Sequence, residues 1–452
     1  MDQPNTSFSQ LVNNQRDYFR KGQTFPLEFR KRALQKLLVT ITEEETAILE
    51  ALKADLNKSE TEAYISEIAL VKGEIKHALK NLKTWTKVKR VKTPLIHWPS
   101  KSYLYSEPYG VVLIMAPWNY PFQLTLSPLV GSIAAGNCTI IKPSAYAKAT
   151  SSTLKRILSK AFNEEYIAVI EGGREETADL LKERFDYIFF TGSPNVGRVV
   201  LEHASKHLTP VTLELGGKSP AIVTESANIK LAAKRILFSK LLNAGQTCIA
   251  TDYVLVDSKV KETLITSLKE EQQKAFPGDD FSDYPKIINE KHTRRLEALG
   301  APLDRGITLI EEATFDDKIM EEEIFGPLLP IITYSSLEEV SERLLIREKP
   351  LALYLFSEDK RESETLLKRL SFGGGCLNDA LIHMVNPHLP FGGVGNSGMG
   401  SYHGKYSFET FSHLKGVTKS STKVDLPFRY RPYSKLVKRL SNLYIHLPNW
   451  WL

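Results

Sequence analysis

Two side chains of different chemistry, a thiol and a carboxylate, stand in separate glycine-containing segments of this chain. Cys248 closes the run 243–248, and Glu214 stands just before Gly216 and Gly217. A thiolate attacks carbonyl carbon and a carboxylate activates water, so the pair predicts nucleophilic attack followed by hydrolysis. Each residue also has an ordinary interpretation: a small buried thiol, or a carboxylate in a solvated turn.

Asn119 lies between Pro117 and Pro121, directly after an apolar run that is typical of a strand. Its side-chain amide can donate a hydrogen bond to an oxyanion. An asparagine between two prolines is also a common way to stabilise a turn.

Three further segments suit a nucleotide. The run 192–197 follows a strand-like segment and opens a helix. Backbone amides at such a helix start can hold a pyrophosphate. The spacing of the run is only a weak match to the GxGxxG pattern of dinucleotide sites. Lys142 suits a ribose or a phosphate, Glu323 suits a ribose, and Phe325 suits the face of a flat ring. The ordinary alternatives are a tight turn, a surface lysine and a solvated acidic cluster.

Composition excludes several classes of protein. The 452 residues are 42% hydrophobic and 25% charged, and the net charge of +6 is spread without a dense basic stripe, which disfavours a nucleic-acid partner. Three distant cysteines predict neither a disulfide framework nor a zinc site. Because residues 1–18 lack a signal-peptide core and no run approaches about 20 apolar residues, we expect a cytoplasmic protein in a reducing compartment.

Strand and helix signals alternate from residue 110 to 192, and the pattern begins again after Val211. This alternation predicts an α/β protein of two units, each a parallel sheet covered by helices, with sites at the strand ends and between the units. The strand-like segments are 111–115, 138–142, 167–171, 187–191, 211–215, 219–223 and 253–256. The helical segments between them are 127–135, 150–163, 175–184 and 229–242.

The first hundred residues read differently from this alternating region. We predict helices here, one with Thr42 at the start of a capping box and another over 61–85. The basic and aromatic segment 87–105, interrupted by Pro94 and Pro99, predicts strands outside the main units.

Taken together and in this order, the motifs resemble those of the aldehyde dehydrogenase superfamily over almost the whole chain. The runs 206–212 and 395–405 are similar to class 3, which includes fatty aldehyde dehydrogenases. The matching motifs are Pro117-Trp118-Asn119-Tyr120-Pro121, Lys142-Pro143-Ser144, Phe190-Thr191-Gly192-Ser193, Leu213-Glu214-Leu215-Gly216-Gly217-Lys218-Ser219-Pro220, Gly245-Gln246-Thr247-Cys248, Glu323-Ile324-Phe325-Gly326-Pro327 and Pro390-Phe391-Gly392-Gly393.

The resemblance implies NAD- or NADP-dependent oxidation of hydrophobic aldehydes, aliphatic or aromatic, to carboxylic acids. Cys248 then forms a thiohemiacetal and a thioester, Asn119 and the backbone N–H of Cys248 stabilise the oxyanion, and Glu214 activates the hydrolytic water. The cofactor contacts that it implies are Lys142, Gly192, Ser193, Gly197, Leu215, Glu323 and Phe325.

The resemblance also implies a domain plan. A Rossmann-like cofactor domain comprises 1–85 and 106–211, a second α/β catalytic domain comprises 212–389, and a small β-strand bridging element comprises 86–105 and 390–427. A homodimer is expected, in which 87–105 and the residues after Gly400 contact the partner. The tail, 428–452, carries an amphipathic pattern that suits either peripheral membrane contact or packing on protein.

Two departures from the family pattern stand out. Ala145 occupies a position where the family often has a glutamate that binds the adenine-ribose hydroxyls, which predicts weak discrimination between NAD and NADP. The segment between Arg295 and Glu321 looks shortened, which predicts a trimmed edge of the catalytic domain and disturbed placement of Glu323.

Two other functions stay open: an acylating relative, which Glu214 disfavours, and a catalytically silent binding protein.

Overall fold

The computed structural model describes residues 8–300, 306–425, 429–433, 435 and 437–439. Three β-sheets and their covering helices organise this part of the chain. The strands are β1 Lys89–Val91, β2 Lys101–Pro108, β3 Val111–Met115, β4 Cys138–Lys142, β5 Ile167–Val169, β6 Tyr187–Thr191, β7 Val211–Glu214, β8 Pro220–Val223, β9 Tyr253–Asp257, β10 Thr308–Ile310, β11 Leu328–Tyr334, β12 Ala352–Phe356, β13 Gly374–Leu377, β14 Gly398–Met399 and β15 Ser412–Lys419. The α-helices are α1 Phe8–Arg20, α2 Leu27–Glu43, α3 Glu45–Leu56, α4 Glu60–Ala63, α5 Ala69–Trp85, α6 Gln123–Ala135, α7 Lys148–Ala161, α8 Arg174–Leu180, α9 Pro194–Ser205, α10 Ile229–Leu241, α11 Lys261–Ala275, α12 Glu290–Glu297, α13 Leu337–Leu345, α14 Lys360–Arg369 and α15 Lys405–Thr410.

The first large sheet has the order β14-β7-β6-β3-β4-β5 and is parallel except for β14. Its strands β3, β4, β5 and β6 are buried at every position, as expected of a sheet with helices on both faces. The predicted α/β architecture is confirmed. Because neighbouring strands run in parallel, their carboxyl ends bring Lys142, Thr191 and Glu214 to one edge.

The second large sheet is wholly parallel, with the order β10-β11-β9-β8-β12-β13. One strand assignment was wrong: 211–215 was expected to start this second unit. Instead β7 pairs with β6, so the chain passes from one sheet to the other between Glu214 and Pro220. That crossing places Glu214 where the two sheets adjoin.

The edge of the second sheet lies in the segment that was expected to be shortened. Strand β10 is present there and pairs in parallel with β11, and the trimming of this edge relative to the family stays a prediction. Glu323 lies against Gly216 of the turn that follows β7. A short strand therefore suffices to hold this edge.

The third sheet is small and antiparallel, with the order β1-β2-β15. It confirms strands in the segment 87–105 and joins them to the residues after Gly400. All of β1 and most of β15 are exposed. The domain boundaries predicted from the sequence remain a prediction.

The N-terminal helices depart from the prediction at two points. Thr42 is not an N-cap, since it lies within α2 and its hydroxyl donates to the Leu38 carbonyl. The helix predicted over 61–85 contains a π turn, Tyr64–Ile68, between α4 and α5. Within the described residues, no helix is both long and apolar enough to cross a membrane. Most of the predicted amphipathic tail, residues 436 and 440–452, lies outside the described residues.

Candidate active site

Two cavities meet at Cys248. The wide cavity has a volume of about 800 Å³ and includes Trp118, Ser193 and Phe325 in its lining. The apolar cavity has a volume of about 170 Å³ and includes Phe238 in its lining. Both cavities share the side chains that lie at their junction: Leu124, Thr191, Glu214, Leu215 and Cys248.

The loop before Cys248 is held in an unusual conformation. Asn243 and Ala244 have left-handed backbone angles, with φ of 52° at each, and Gly245 follows with φ of 73°. A Cβ on Gly245 would collide with the Gly326 carbonyl, so only glycine allows this loop to approach the loop 323–327 so closely. Because non-glycine residues rarely adopt such angles, the surrounding contacts must hold them in place.

The two side chains that precede Cys248 anchor the loop. The Gln246 amide donates to the Lys286 carbonyl and accepts from the Ile288 N–H, both at 3.1 Å. The Thr247 hydroxyl lies 2.6 Å from that of Tyr120. Cys248 is therefore presented at the junction by a loop that is fixed at the two positions before it.

The resting Cys248 side chain is a thiol. Burial, and then the carboxyl groups of Glu323 and Glu214, raise the pKa of Cys248 well above its ordinary value. The attacking form is the thiolate, so the thiol must lose its proton before or during attack.

Glu214 is a buried carboxyl without a hydrogen-bond partner among the described residues. Its strand is held on one side by β6 and on the other by β14, and the Leu215 N–H donates to the Ser397 carbonyl at 3.1 Å. Burial raises the pKa of Glu214 well above its ordinary value. An unpartnered carboxyl that lines both cavities is free to bind a water or a substrate atom between them.

Asn119 lies beside the Cys248 loop. Its side-chain Nδ2 donates to the Gln246 carbonyl at 3.0 Å, and its own carbonyl accepts from Asn243 Nδ2 at 2.8 Å. These bonds join the loop after β3 to the loop that carries Cys248. Asn119 also lines the wide cavity, as expected of a donor to the reacting oxygen.

The predicted phosphate site lies at the start of α9. Ser193 is the N-cap of this helix, and the N-terminal turn opens onto the wide cavity together with Gly192. Gly197 does not line the cavity; it lies against Leu215, whose Cδ2 would be 2.8 Å from an added Cβ. The open helix terminus and a volume within the range of roughly 300–1,000 Å³ of ligand pockets fit a dinucleotide.

Lys142 lies apart from that cavity. Its side chain is buried at the end of β4 and donates to the Gly172 carbonyl at 2.6 Å and the Pro143 carbonyl at 3.1 Å. Burial lowers the pKa of this ammonium group. The structure places Lys142 on the same sheet edge as Thr191 and does not place it in the cavity lining.

Glu323 and Phe325 line the opposite wall. The Glu323 carboxyl packs against Gly216, where an added Cβ would collide with it. Burial and then the charge of Asp252 raise the pKa of Glu323 to about 8. The Phe325 ring meets the Trp118 ring edge-on at 5.3 Å, so two aromatic faces border this wall.

Several lining residues carried no signal in the sequence. Arg295 in α12 donates to the Ile324 carbonyl at 2.6 Å and so supports the segment of Glu323 and Phe325. His292 stacks near Trp118 at the same wall. Neither stood in a motif of recognisable spacing. The apolar cavity was missed as a whole because its lining comes from separate elements: Ile65, Leu70, Tyr120, Phe238, Ile249, Met384, Phe391 and Tyr402.

The other two cysteines lie outside this arrangement. Burial raises the pKa of Cys138 to about 12, and that of Cys376 is also raised. Neither lines the two cavities. Among the described residues, no group of histidine, cysteine and carboxylate side chains is arranged to hold a metal ion.

Comparison with known proteins agrees with this geometry. The sequence profile described as the aldehyde dehydrogenase family matches residues 3–302 and 306–417. The chain is 50% identical over 434 residues to 4,4'-diaponeurosporen-aldehyde dehydrogenase of Staphylococcus aureus, covering 92% of this chain and 94% of that protein. It is 43% identical over 446 residues to mouse aldehyde dehydrogenase family 3 member B1, covering 95% of each.

A solved structure, the substrate-bound state of Staphylococcus aureus AldH, superposes with a TM-score of 0.93 at 49% identity, covering 96% of this chain and 99% of that one. These relatives confirm the class 3 resemblance and the two-sheet α/β architecture. The chain belongs to the aldehyde dehydrogenase family and is an oxidoreductase that acts on aldehydes.

Proposed function

We propose that this protein oxidises hydrophobic aldehydes to carboxylic acids through a thiohemiacetal and then a thioester on Cys248. One observation carries the proposal: a thiol and an unpartnered buried carboxyl, Glu214, share the junction of an apolar cavity and a wider one. The aldehyde chain occupies the apolar cavity and the cofactor occupies the wide cavity.

Attack begins when the Cys248 thiol releases its proton to solvent and the thiolate sulfur bonds to the aldehyde carbon. The carbonyl oxygen becomes an oxyanion, which accepts hydrogen bonds from Asn119 Nδ2 and the backbone N–H of Cys248. In related acyl-transfer sites one such donor contributes about 100- to 1000-fold in turnover. The bond from Asn119 Nδ2 to the Gln246 carbonyl supports this role, because it orients the amide beside the Cys248 loop.

The cofactor is held by Gly192 and Ser193 at the start of α9, with Leu215, Glu323 and Phe325 along the walls. When bound, its nicotinamide accepts the hydride that leaves the thiohemiacetal carbon. Lys142 would approach the cofactor ribose from the end of β4, outside the cavity lining, and Gly197 lets α9 pack on Leu215.

Glu214 completes the reaction as the general base for hydrolysis. It accepts a proton from water, whose oxygen bonds to the thioester carbon, and the Cys248 sulfur leaves. Aldehyde, NAD(P)+ and water are thus converted to acid, NAD(P)H and one proton. Because burial raises the pKa of Glu214, turnover rises with pH as this carboxyl ionises.

A hydrophobic substrate suits the side chains around Cys248. The apolar cavity is walled by Leu124, Phe238, Met384 and Phe391. The relative at 50% identity is named for 4,4'-diaponeurosporen-aldehyde, which supports the same class of substrate. We assign this chain medium- and long-chain aliphatic or aromatic aldehydes.

We also propose the use of both NAD and NADP. Ala145 follows β4 and is exposed, so no carboxylate at this position repels a 2′-phosphate.

The exposed strands β1 and β15 suit a homodimer. Membrane contact through the tail concerns residues that lie mainly outside those described.

The proposal is tested with decanal, NAD+ or NADP+, and identification of the product. NAD(P)H and decanoic acid in equal amounts are expected, and both vanish in Cys248→Ala. Product formation that depends on coenzyme A or phosphate would contradict the assignment of Glu214 as a base. A lack of NAD(P)H with every aldehyde would contradict the catalytic role altogether.

A further inference from the structure

A fully buried ion pair lies directly behind Asn119. Lys58 Nζ and Glu67 Oε1 are 2.5 Å apart, and both side chains have 0% exposure. Lys58 precedes α4, and Glu67 lies in the π turn. Neither residue lines the wide or the apolar cavity, so the mechanism above leaves this pair without a role.

The pair contacts the backbone of the oxyanion loop at several points. Lys58 Nζ donates to the Asn119 carbonyl at 3.1 Å and lies 4.0 Å from the centre of the Tyr120 ring. Glu67 Oε2 accepts from the Phe122 N–H at 2.8 Å and from the Gln123 N–H at 3.1 Å. The loop from β3 to α6 is thus held on both sides of its turn by one buried pair.

A third charged side chain holds the other loop. Glu62 accepts from the Asn243 N–H at 2.7 Å. Asn243 is one of the residues with left-handed backbone angles, and its side chain donates to the Asn119 carbonyl. Glu62 therefore fixes the strained start of the Cys248 loop, to which Asn119 is bonded.

The π turn explains how two carboxylates of one helical segment reach both loops. Residues five apart, such as Glu62 and Glu67, point about 140° away from each other in an uninterrupted α-helix. A π turn is wider, with hydrogen bonds from i to i+5, so residues five apart come towards the same side.

We propose that Lys58, Glu62 and Glu67 are positioning residues that set the Asn119 amide against Cys248 for oxyanion stabilisation. The inference rests on the proposed function, because it assigns the pair to the Cys248 reaction. It goes further by giving the N-terminal helices a part in catalysis. A misplacement of about 1 Å costs on the order of 100-fold in rate, so a loosened loop lowers turnover while the fold persists.

Stability alone gives a weak reason for the pair. Desolvation offsets the attraction in buried ion pairs, and neutral replacement of both partners is often tolerated, whereas removal of one partner leaves an unpaired charge. The informative variant is therefore the double substitution Lys58→Met/Glu67→Gln, which removes both charges together.

The test compares two reactions of the same thiol. Decanal oxidation requires the oxyanion donor, whereas alkylation of Cys248 by iodoacetamide does not. We expect kcat/KM for decanal to fall about 10- to 100-fold in the double variant, with the alkylation rate and the Kd for NAD+ unchanged. Arg16→Met/Asp186→Asn is the matched control, because that ion pair also binds a backbone amide, that of Val111, but far from these loops. In this control variant we expect the ratio of the oxidation rate to the alkylation rate to equal that of the wild type.

Unchanged decanal oxidation in the folded double variant would overturn the proposal, as would equal losses in oxidation and alkylation.

If the double variant does not fold, substitutions of the half-buried Glu62 provide the test. We expect Glu62→Ala to lose about tenfold in kcat/KM and Glu62→Gln, which keeps the acceptor, to recover it; equal activity of the two variants would overturn the inference. Inactivity of the wild-type protein itself would instead refute the proposed function.

Discussion

The two cavities that meet at Cys248 differ in size and in the origin of their walls. The wide cavity, about 800 Å³, is built from strand ends, a helix N-terminus and the loop of Glu323. The apolar cavity, about 170 Å³, is built from side chains of the π turn, α10 and the segment after β13. Polar and backbone groups suit the recognition of a charged cofactor, whereas apolar walls suit a hydrocarbon chain and exclude water.

The junction matters because it combines both environments. Glu214 and Cys248 are reached from either cavity, yet burial raises the pKa of each. Burial therefore favours the neutral form of both groups, and their reactive forms arise by proton transfer. Each of the following predictions alters one cavity or the junction and compares the effect on the two ligands.

The largest effect is expected at the junction. Cys248→Ala removes the nucleophile, and we expect turnover with decanal to fall by about 10⁴-fold or more. Cys376→Ala is the matched control and should retain activity, because Cys376 lines neither cavity. Initial rates of NAD(P)H formation measure both; comparable losses in the two variants would refute a unique role for Cys248.

The next effect concerns the oxyanion donor. Asn119→Ala should lower kcat about 100- to 1000-fold, because one donor to the developing charge is lost. Since the proposed cofactor contacts are other residues of the wide cavity, the Kd for NADH should stay unchanged, as measured by fluorescence titration. A weakened Kd with normal kcat would place Asn119 in cofactor binding instead.

A substitution in the apolar cavity should separate substrates by chain length. Met384→Trp reduces the space in this cavity, and we expect kcat/KM for decanal to fall about 10- to 200-fold. Acetaldehyde, which needs little of that space, should be affected less, and KM for NAD+ should not change. Equal losses for both aldehydes would contradict the assignment of the aldehyde's hydrocarbon chain to the apolar cavity.

Glu214 should also affect stability in a pH-dependent manner. Its raised pKa in the folded state means that the folded protein holds a proton that the unfolded chain has released above its own pKa of about 4.3. As pH rises from about 4.3 towards the raised pKa of the folded state, the free energy of unfolding of the wild type should fall by about 1.4 kcal/mol per pH unit relative to that of Glu214→Gln. Urea unfolding at pH 5 and pH 8 measures the difference, and a constant gap would contradict the neutral resting carboxyl.

The smallest effect is expected at Ala145, which is exposed after β4 and lies outside the lining of the wide cavity. Ala145→Glu introduces a carboxylate near the predicted 2′-phosphate position and should reduce kcat/KM for NADP+ about tenfold relative to NAD+. Ala145→Gln is the uncharged control. Since the position is exposed, the discrimination should weaken at high salt. A strong NAD+ preference in the wild-type protein would already contradict the premise.

The residues of the wide cavity were easier to predict from the sequence than those of the apolar cavity, for a physical reason. Glu214, Gly192, Ser193 and Phe325 belong to short motifs whose glycines and polar groups must follow strand ends, so local pattern locates them. The apolar cavity combines Phe238 with Tyr402 and other distant residues, each of which reads locally as ordinary core. Its shape follows from tertiary packing, which periodicity does not encode.

Two errors show the same limit at the level of the fold. The predicted strand 211–215 was assigned to the second unit because the strand and helix pattern begins again after Val211, and only pairing with β6 places it in the first sheet. The edge strand β10 was not recognised within the shortened segment, yet its three residues pair with β11. The strands up to residue 256 were largely predictable, whereas β11, β12 and β13, and the partners of the strands, were not.

The central claim is that Cys248 carries the acyl group while Glu214 removes it. The most direct measurement is a single turnover of Glu214→Gln with decanal and NAD+, followed by mass spectrometry of the intact protein and its peptides. We predict one equivalent of NADH and a decanoyl adduct on the peptide of Cys248, stable for longer than in wild type. NADH release without an adduct, or an adduct on Cys138 or Cys376, would contradict the account.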